Sequence, residues 1–396
     1  MKILVAAASF SASISGVQRH ALNLARCLLL RPEVSALHFV LAPWQLNFAQ
    51  AAGLPSDIRL KIHIANINRT SLSRNLWYYR GLPELAAQLQ ADLVHLSCPM
   101  PLNAAAFRCP TVVTLHDLYP YEIPMNFGFP KFILNRMVLR QCLRQADAIA
   151  CVSETTRIRL KQYAPAAIWQ KAIRIYNCVE PEPVSATQSP IPGWRSEPFL
   201  LCVAQHRRNK NIPTLIRAFH RLLRSGDIEP DSKLVVVGMA GPESGKIRRL
   251  VAASGLEDSV HFLEALTEPQ LQWCYRHCQA LVAPSLTEGF GLPIAEGLLA
   301  GCRIVCSDIP AHREIADSHC QFVSLREYAV EALAAAIVDT LREPGRAPIS
   351  LPQLSAPALA EQYMALYRRL ATSPAPAHNA RVAGSINIAT SESRSV

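Results

Sequence analysis

The 396-residue sequence has no unbroken apolar run near the roughly 20 residues of a membrane span, so no bilayer-crossing helix is expected. It lacks any C-x-x-C pair, and its twelve cysteines are scattered, which in a chain this long argues against a disulfide framework. Cys274 with Cys278, and Cys302 with Cys306, have a C-x-x-x-C spacing that a zinc tetrad could use. The second pair falls in an apolar, strand-like run, and free cysteine is commonly a small buried hydrophobe, so no metal is expected. No Asp-x-Asp occurs anywhere to hold a divalent cation. Gly238, Gly241 and Gly245 are not spaced as G-x-G-x-x-G and no ribose-binding acid follows them, so a dinucleotide fingerprint is absent too.

Half of the residues are apolar and 18% are charged, the composition of a folded protein with disorder confined to its ends. The length exceeds what one hydrophobic core serves, and two domains are expected. Met1 to Ala8 carries one basic residue and an apolar run, and Gly16 and an amphipathic stretch, Val17 to Leu30, follow at once. That order reads as strand, loop and helix rather than as a signal peptide, which implies a protein kept in the cytoplasm. Charge is uneven: residues 1–190 carry 19 Lys+Arg against 10 Asp+Glu, whereas residues 191–371 carry 19 against 19. The basic excess therefore implies an anionic surface or substrate for the amino-terminal half.

Short β-rich runs alternate with helical patterns: Lys2 to Ala7, Leu37 to Leu41, Leu93 to Leu96, Thr111 to Leu115 and Ala148 to Val152 read as strands. Five prolines crowd residues 178–198, which reads as a linker. The alternation restarts with Phe199 to Val203, Leu234 to Val237, Val260 to Leu263, Ala280 to Ala283 and Ile304 to Ser307. An α/β chain with two parallel sheets follows, over residues 1–177 and 199–355. Residues 356–371 form one more amphipathic helix, and residues 372–396, rich in Ser, Ala, Asn and Thr, read as a disordered tail. Ligands of open parallel sheets lie beyond the strands' carboxyl ends, so the cleft between the sheets is the place to look.

The most specific feature is Thr287-Glu288-Gly289-Phe290-Gly291-Leu292-Pro293-Ile294-Ala295-Glu296-Gly297, a glycine loop between an apolar strand and a helix whose first turn Pro293 suits. Free amides at that helix start, with glycines allowing close approach, make a site for a diphosphate. Glu288 precedes the loop and Glu296 is placed in the helix's first turn, so the carboxylates can bracket one molecule and accept from sugar hydroxyls.

This Glu-x7-Glu loop resembles the signature of the retaining GT-B glycosyltransferases of family 4, and the likeness extends from Ile3 to about Leu370. The resemblance implies two Rossmann-like domains with parallel sheets facing across a cleft. The first binds the acceptor, the second binds the nucleotide sugar, and the helix over 356–371 crosses back onto the first. By the same resemblance Glu288 contacts the donor sugar, Glu296 the ribose, and the amides of Gly289, Phe290, Gly291 and Leu292 the sugar and phosphate. Ser15-Gly16-Val17-Gln18 is similar to the family's first loop, with Gly16 the retained glycine of the usual pair. His116, at the end of Thr114-Leu115-His116-Asp117-Leu118, ends a strand at the cleft mouth, and the resemblance implies a place for it beside the reacting carbon. Gln205-His206-Arg207-Arg208-Asn209-Lys210-Asn211 is similar to the basic loop that opens the second domain, with Lys210 on the diphosphate. The companion position, usually basic, is Gln205, which leaves Arg207 or Arg208 to supply the second phosphate cation.

The function this implies is transfer of a hexose from a nucleotide diphosphate sugar to a saccharide or lipid-linked acceptor in cell-surface polysaccharide synthesis. Anomeric configuration is retained, and neither metal nor cofactor takes part. General likeness favours mannose carried on GDP, with UDP-linked hexoses as the alternative. A protein of the same fold that binds a nucleotide sugar or a partner without transfer is the other reading. No nucleic-acid partner is implied. From Lys131 to Arg144 there are four basic residues and no acidic ones; Arg136, Arg140 and Arg144 recur every four residues and form one stripe, while Phe132, Ile133, Met137, Val138, Leu139 and Leu143 supply apolar surface. This helix either holds the protein peripherally on the inner face of the cytoplasmic membrane or is a core-facing helix with a solvated basic side.

Overall fold

The structure, a computed structural model, describes residues 1–10, 15–47, 54–180 and 188–372. Part of the expected linker and all but the first residue of the expected tail lie outside the described residues.

Two parallel sheets form. The first comprises β1 (Lys2–Ala6), β2 (Ala36–Leu41), β3 (Leu60–Ile64), β4 (Leu93–Leu96), β5 (Thr111–Leu115), β6 (Ala148–Cys151) and β7 (Ala172–Arg174) in the order β3-β2-β1-β4-β5-β6-β7. The second comprises β8 (Phe199–Val203), β9 (Lys233–Val237), β10 (Val260–Leu263), β11 (Ala280–Ala283), β12 (Ile304–Ser307) and β13 (Gln321–Val323) in the order β10-β9-β8-β11-β12-β13. Strand order reverses between β1 and β4 in one sheet and between β8 and β11 in the other, which opens a crevice at the carboxyl ends there. The central strands are buried on both faces and read as continuous apolar runs for that reason. Helices cover both faces of each sheet, so the fold is α/β, two Rossmann-like domains of the GT-B type.

The helix Ala356–Thr372 follows the second domain in sequence yet packs in the core of the first. Leu359, Ala360, Tyr363, Met364, Leu366 and Tyr367 recur at three- and four-residue intervals and are buried against the first helix, Gly16–Leu29. A chain of buried hydrogen bonds fixes this crossing. With the Asn177 side-chain oxygen accepting from His20 Nδ1 at 2.8 Å, every bond runs one way. The Tyr367 hydroxyl donates to His95 Nδ1, His95 Nε2 to Thr114 Oγ1 at 2.7 Å, and Thr114 to His20 Nε2 at 3.1 Å. Burial holds His95 down to about 3 and lowers His20 as well, so both rings stay neutral and no charge is stranded in the core.

The basic helix Lys131–Gln145 forms as read, but its stripe does not. Arg136 turns inward: its guanidinium donates to the carbonyls of Pro120, at 2.6 Å, and Tyr121, at 3.3 Å, and lies over the Tyr121 ring. Two carbonyls and an aromatic face within reach of one guanidinium outcompete solvent. Lys131, Arg140 and Arg144 remain exposed. Leu139 and Leu143 belong to the core, whereas Met137 is 63% exposed and Phe129, just before the helix, 82%.

If the histidine chain ties the crossing helix to the sheet, Tyr367→Phe leaves His95 with a buried, unpaired nitrogen. That should cost about 1–3 kcal/mol, and Tyr367→Ala, which also opens a cavity, about 3–5 kcal/mol. Urea unfolding measures both, and an unchanged midpoint for Tyr367→Phe would show that the bond contributes nothing.

Candidate active site

Four segments meet at the facing carboxyl ends: the start of the first helix after β1, His116 after β5, Gln205–Lys210 after β8, and residues 285–291 after β11. Gly291, at φ +104°, turns the last of these into the helix Leu292–Ala300, and Pro293 occupies that helix's second position. Gly16 starts the first helix directly opposite, where a β-carbon on it would lie 3.6 Å from Leu292 Cδ1. Two helix amino termini therefore point into one space, and their dipoles make it favourable for an anion.

Glu288 is buried, 7% exposed. Its Oε1 accepts from Lys210 Nζ at 2.5 Å and Ser285 Oγ at 2.7 Å, and its Oε2 from the Tyr119 hydroxyl at 3.1 Å. Burial alone would raise its carboxyl, but Lys210, the nearby His312 and the hydrogen bonds outweigh that and hold it below the ordinary range. Leu286 N donates to Asn209 O at 2.7 Å, which locks the glutamate loop to the basic loop.

In the basic loop, Gln205 carries no charge to a ligand but accepts from Arg207 Nε at 3.0 Å. Arg207 is half-buried and near enough to Asp117 of the first domain to favour its ionised form, while Arg208 is exposed. Of the two arginines, Arg207 is the one aimed into the cleft.

His116 donates Nε2–H to Ser97 O at 2.8 Å, which leaves Nδ1 as an acceptor, and burial lowers the ring to about 4, so it is neutral near pH 7. Its own carbonyl abuts Gly289, where a β-carbon would sit 1.8 Å away. The Gly289 carbonyl in turn accepts from Ser153 Oγ and from Thr156 Oγ1, the latter at 3.0 Å. Ser153 caps its helix through Thr156 N at 2.9 Å and also bridges the domains. Arg159 reaches Thr287 Oγ1 at 2.7 Å, and Glu314 accepts from the amides of Glu154 and Thr155 at 2.6 and 2.8 Å.

Glu296 is the fifth residue of its helix and so stands in the second turn, not the first. At that depth its partners are side chains rather than helix amides: Arg19 Nη1 at 2.9 Å and the Tyr275 hydroxyl at 2.6 Å. Burial raises its carboxyl above the usual range, Arg19 opposes this, and Glu268 adds to it. Phe290 is buried, with its ring 6.0 Å from that of Tyr176.

Sequence reasoning missed Arg19, Tyr119, Tyr275 and Asp117. Arg19 carried one signal, its place a turn after Gly16; the tyrosines carried none. Asp117 is half-buried, and its Oδ1 accepts from Tyr119 N at 3.0 Å. Burial pushes its carboxyl up to about 6, opposed by the Tyr119 amide, with Glu122 and Glu288 reinforcing the rise and Arg207 working against it. A raised carboxyl favours the folded state only while protonated, so stability falls as pH rises from near 4 to about 6 and is level above. Asp117→Asn should therefore melt higher than wild type at pH 7, and the advantage should vanish by about pH 4. A thermal melt series in pH that shows no such convergence would mean that Asp117 ionises normally.

Comparison with known proteins accords with this arrangement. The family model for Glycosyltransferase Family 4 matches residues 14–183 and that for Glycosyl transferases group 1 matches residues 186–350. The O-antigen chain mannosyltransferase RfbU of Salmonella typhimurium is 26% identical over 265 residues, 66% of this chain and 70% of that protein. The O-antigen chain mannosyltransferase B of Escherichia coli is 24% identical over 355 residues, 87% and 91% of the two chains. The chain spans about a quarter of the serotype-specific mannosyltransferase WbdA of Escherichia coli, at 28% identity over 218 residues. Among solved structures, WaaG, a glycosyltransferase involved in lipopolysaccharide biosynthesis, superposes with a TM-score of 0.64 at 16% identity over 98% of this chain and 100% of that one. Two models that together take in all strands of the two sheets but β1, and a shared two-domain architecture, place the chain among the group 1, family 4 glycosyltransferases of the GT-B fold.

Proposed function

We propose that the protein transfers a hexose, with retention of configuration, from a nucleotide diphosphate sugar to a saccharide or lipid-linked acceptor in cell-surface polysaccharide synthesis. The observation that carries this is the pair of glutamates: both are buried, both face the cleft, each is held by a cation, and an anion-favouring helix start lies between them. Glu288 accepts from hydroxyls of the donor sugar, and Glu296 from the ribose. His116, with Nε2–H committed to Ser97, offers Nδ1 as an acceptor to the same sugar. As the sugar leaves, charge grows on the diphosphate, and Lys210, Arg207 and the amides of Gly289 to Leu292 stabilise it without a metal. Closure excludes water that would otherwise hydrolyse the donor. The departing phosphate then assists deprotonation of the acceptor on the same face. The relatives that are named mannosyltransferases favour mannose as the sugar, and GDP is the carrier proposed for it.

Incubation with GDP- and UDP-linked sugars, with EDTA present, should release nucleotide from one of them. Glu288→Ala should mainly lower turnover and Glu296→Ala mainly weaken nucleotide binding, each by about ten- to a hundredfold for a lost charged hydrogen-bond partner. Wild-type rates in the double variant would sink the site. Binding without release would make the chain a nucleotide-sugar binder, and loss in EDTA restored by magnesium or manganese would refute the metal-free charge scheme.

The same reading places the first domain on the inner face of the cytoplasmic membrane. No described helix is long and apolar enough to cross a membrane. Arg140 and Arg144 share one side of the basic helix with the exposed Ile133 and Met137, and Lys131 lies at its start. Each exposed cation near an anionic bilayer contributes about 1 kcal/mol, so attachment should be weak and salt-sensitive. Flotation with anionic vesicles at low salt should recover wild type and not a Lys131→Glu, Arg140→Glu, Arg144→Glu variant with Arg136 intact. Equal recovery on neutral vesicles would remove this helix as the anchor.

A further inference from the structure

Arg19 is the fourth residue of the first helix, in the first domain, and both ends of its guanidinium fork rest on the second. Nη1 lies 2.9 Å from Glu296 Oε1 and Nη2 lies 2.8 Å from Glu268 Oε2. Glu268 opens the helix Glu268–His277, and Tyr275 of that same helix holds the other oxygen of Glu296 at 2.6 Å. The Glu296 side chain is only 9% exposed, against 26% for Arg19, so its carboxylate is covered and Arg19 is the part of the cover that faces solvent.

A carboxylate can accept about four hydrogen bonds, but the space around this one admits few donors. Arg19 meets it with one donor, Nη1, its other nitrogen being held by Glu268, whereas the vicinal hydroxyls of a ribose offer two donors on one edge. We propose that Arg19 is a built-in competitor for the ribose site: it occupies Glu296 when no nucleotide is bound, and the ribose diol of a nucleoside diphosphate displaces it. This rests on the reading of Glu296 as the ribose-binding residue.

The displaced guanidinium keeps Glu268, so it is neither stranded nor freed to wander. Because Arg19 belongs to the other domain, the exchange couples nucleotide occupancy to a contact between domains. After transfer, the return of Arg19 to Glu296 works against retention of the nucleoside diphosphate, which speeds product release. A fixed structural ion pair would do none of this.

The test compares affinities of GDP, UDP and their 2′,3′-dideoxy forms by calorimetry in EDTA, for wild type, Arg19→Met and Glu296→Gln. Arg19→Met keeps the length of the side chain and removes its donors; matched circular dichroism spectra establish that each variant is folded. The quantity read is the ratio of ribonucleotide to dideoxynucleotide affinity, in which base and phosphate contacts cancel. Wild type should favour the ribonucleotide. Arg19→Met should raise that ratio about tenfold, the scale of one charged hydrogen bond, and Glu296→Gln should bring it near one. A ratio in Arg19→Met that is unchanged or lower overturns the competition. A wild-type ratio in Glu296→Gln, or no binding of either nucleotide, overturns the ribose assignment itself.

Discussion

At Gly289 the two domains touch backbone to backbone: a β-carbon there would lie 1.8 Å from the His116 carbonyl oxygen and 2.9 Å from its carbon. No side chain, however flexible, could be accommodated against a backbone group that close. The contact brings the glutamate loop onto the end of β5, and the rest of the cleft follows from it. Only with the loop seated there can the Gly289 carbonyl accept from Ser153 and Thr156, Tyr119 reach Glu288, and Arg159 reach Thr287. Glycine at this position is thus required by the meeting of the domains, beyond any need of the loop's own turn.

Closing the cleft buries two carboxylates, and an unpaired buried charge costs several kcal/mol. Each glutamate therefore has a cation: Lys210 from its own domain for Glu288, and Arg19 from the other domain for Glu296. The two pairs have opposite outcomes. Lys210, His312 and the hydrogen bonds from Lys210 and Ser285 keep Glu288 below the ordinary carboxylate range, so it is ionised throughout the physiological range. Glu296, with Glu268 close by, stays above that range in spite of Arg19. The cation of Glu288 belongs to its own domain and that of Glu296 to the other, so separating the domains takes a charge partner from Glu296 and only the Tyr119 hydrogen bond from Glu288.

The same physics decides what was legible in the sequence. The core strands were read almost to the residue, because burial on both faces writes them as apolar runs; β4, β5, β8, β11 and β12 have the expected bounds, as does the half-buried edge strand β10. The strands not read, β3, β7 and β13, lie at sheet edges: β3 mixes Lys61 and His63 into its run, and the other two have three residues each. The glutamate loop was legible because its parts are contiguous. Arg19 was not read as part of the site, since its partner Glu296 is 277 residues away and nothing local marks the pairing. Arg136 was misread for a related reason: helical spacing gives the face a side chain starts from, but not the carbonyls of Pro120 and Tyr121 that draw it back.

The chain passes between the domains twice, and the two crossings are bound to each other. Val179 N donates to Leu354 O at 3.0 Å, Ala356 N donates to the Glu180 carboxylate at 3.0 Å, and Asn23 of the first helix donates to Cys178 O at 2.9 Å. Behind these lie the apolar stripe of the crossing helix and the neutral histidine chain that ends on Asn177. The contacts at the cleft mouth are of another kind: single hydrogen bonds and ion pairs from Tyr119, Asn126, Ser153, Arg159, Glu314 and Arg19, with polar groups on both sides. Each such bond contributes about 0.5–1.5 kcal/mol net, since water replaces it on opening, whereas the crossing helix buries side chains that are costly to expose. A rotation that opens the mouth therefore exchanges weak polar contacts for water and for ligand, while the paired crossings hold. That division gives the closed cleft a stability set by a few weak polar contacts and leaves the joint between the domains to the apolar core.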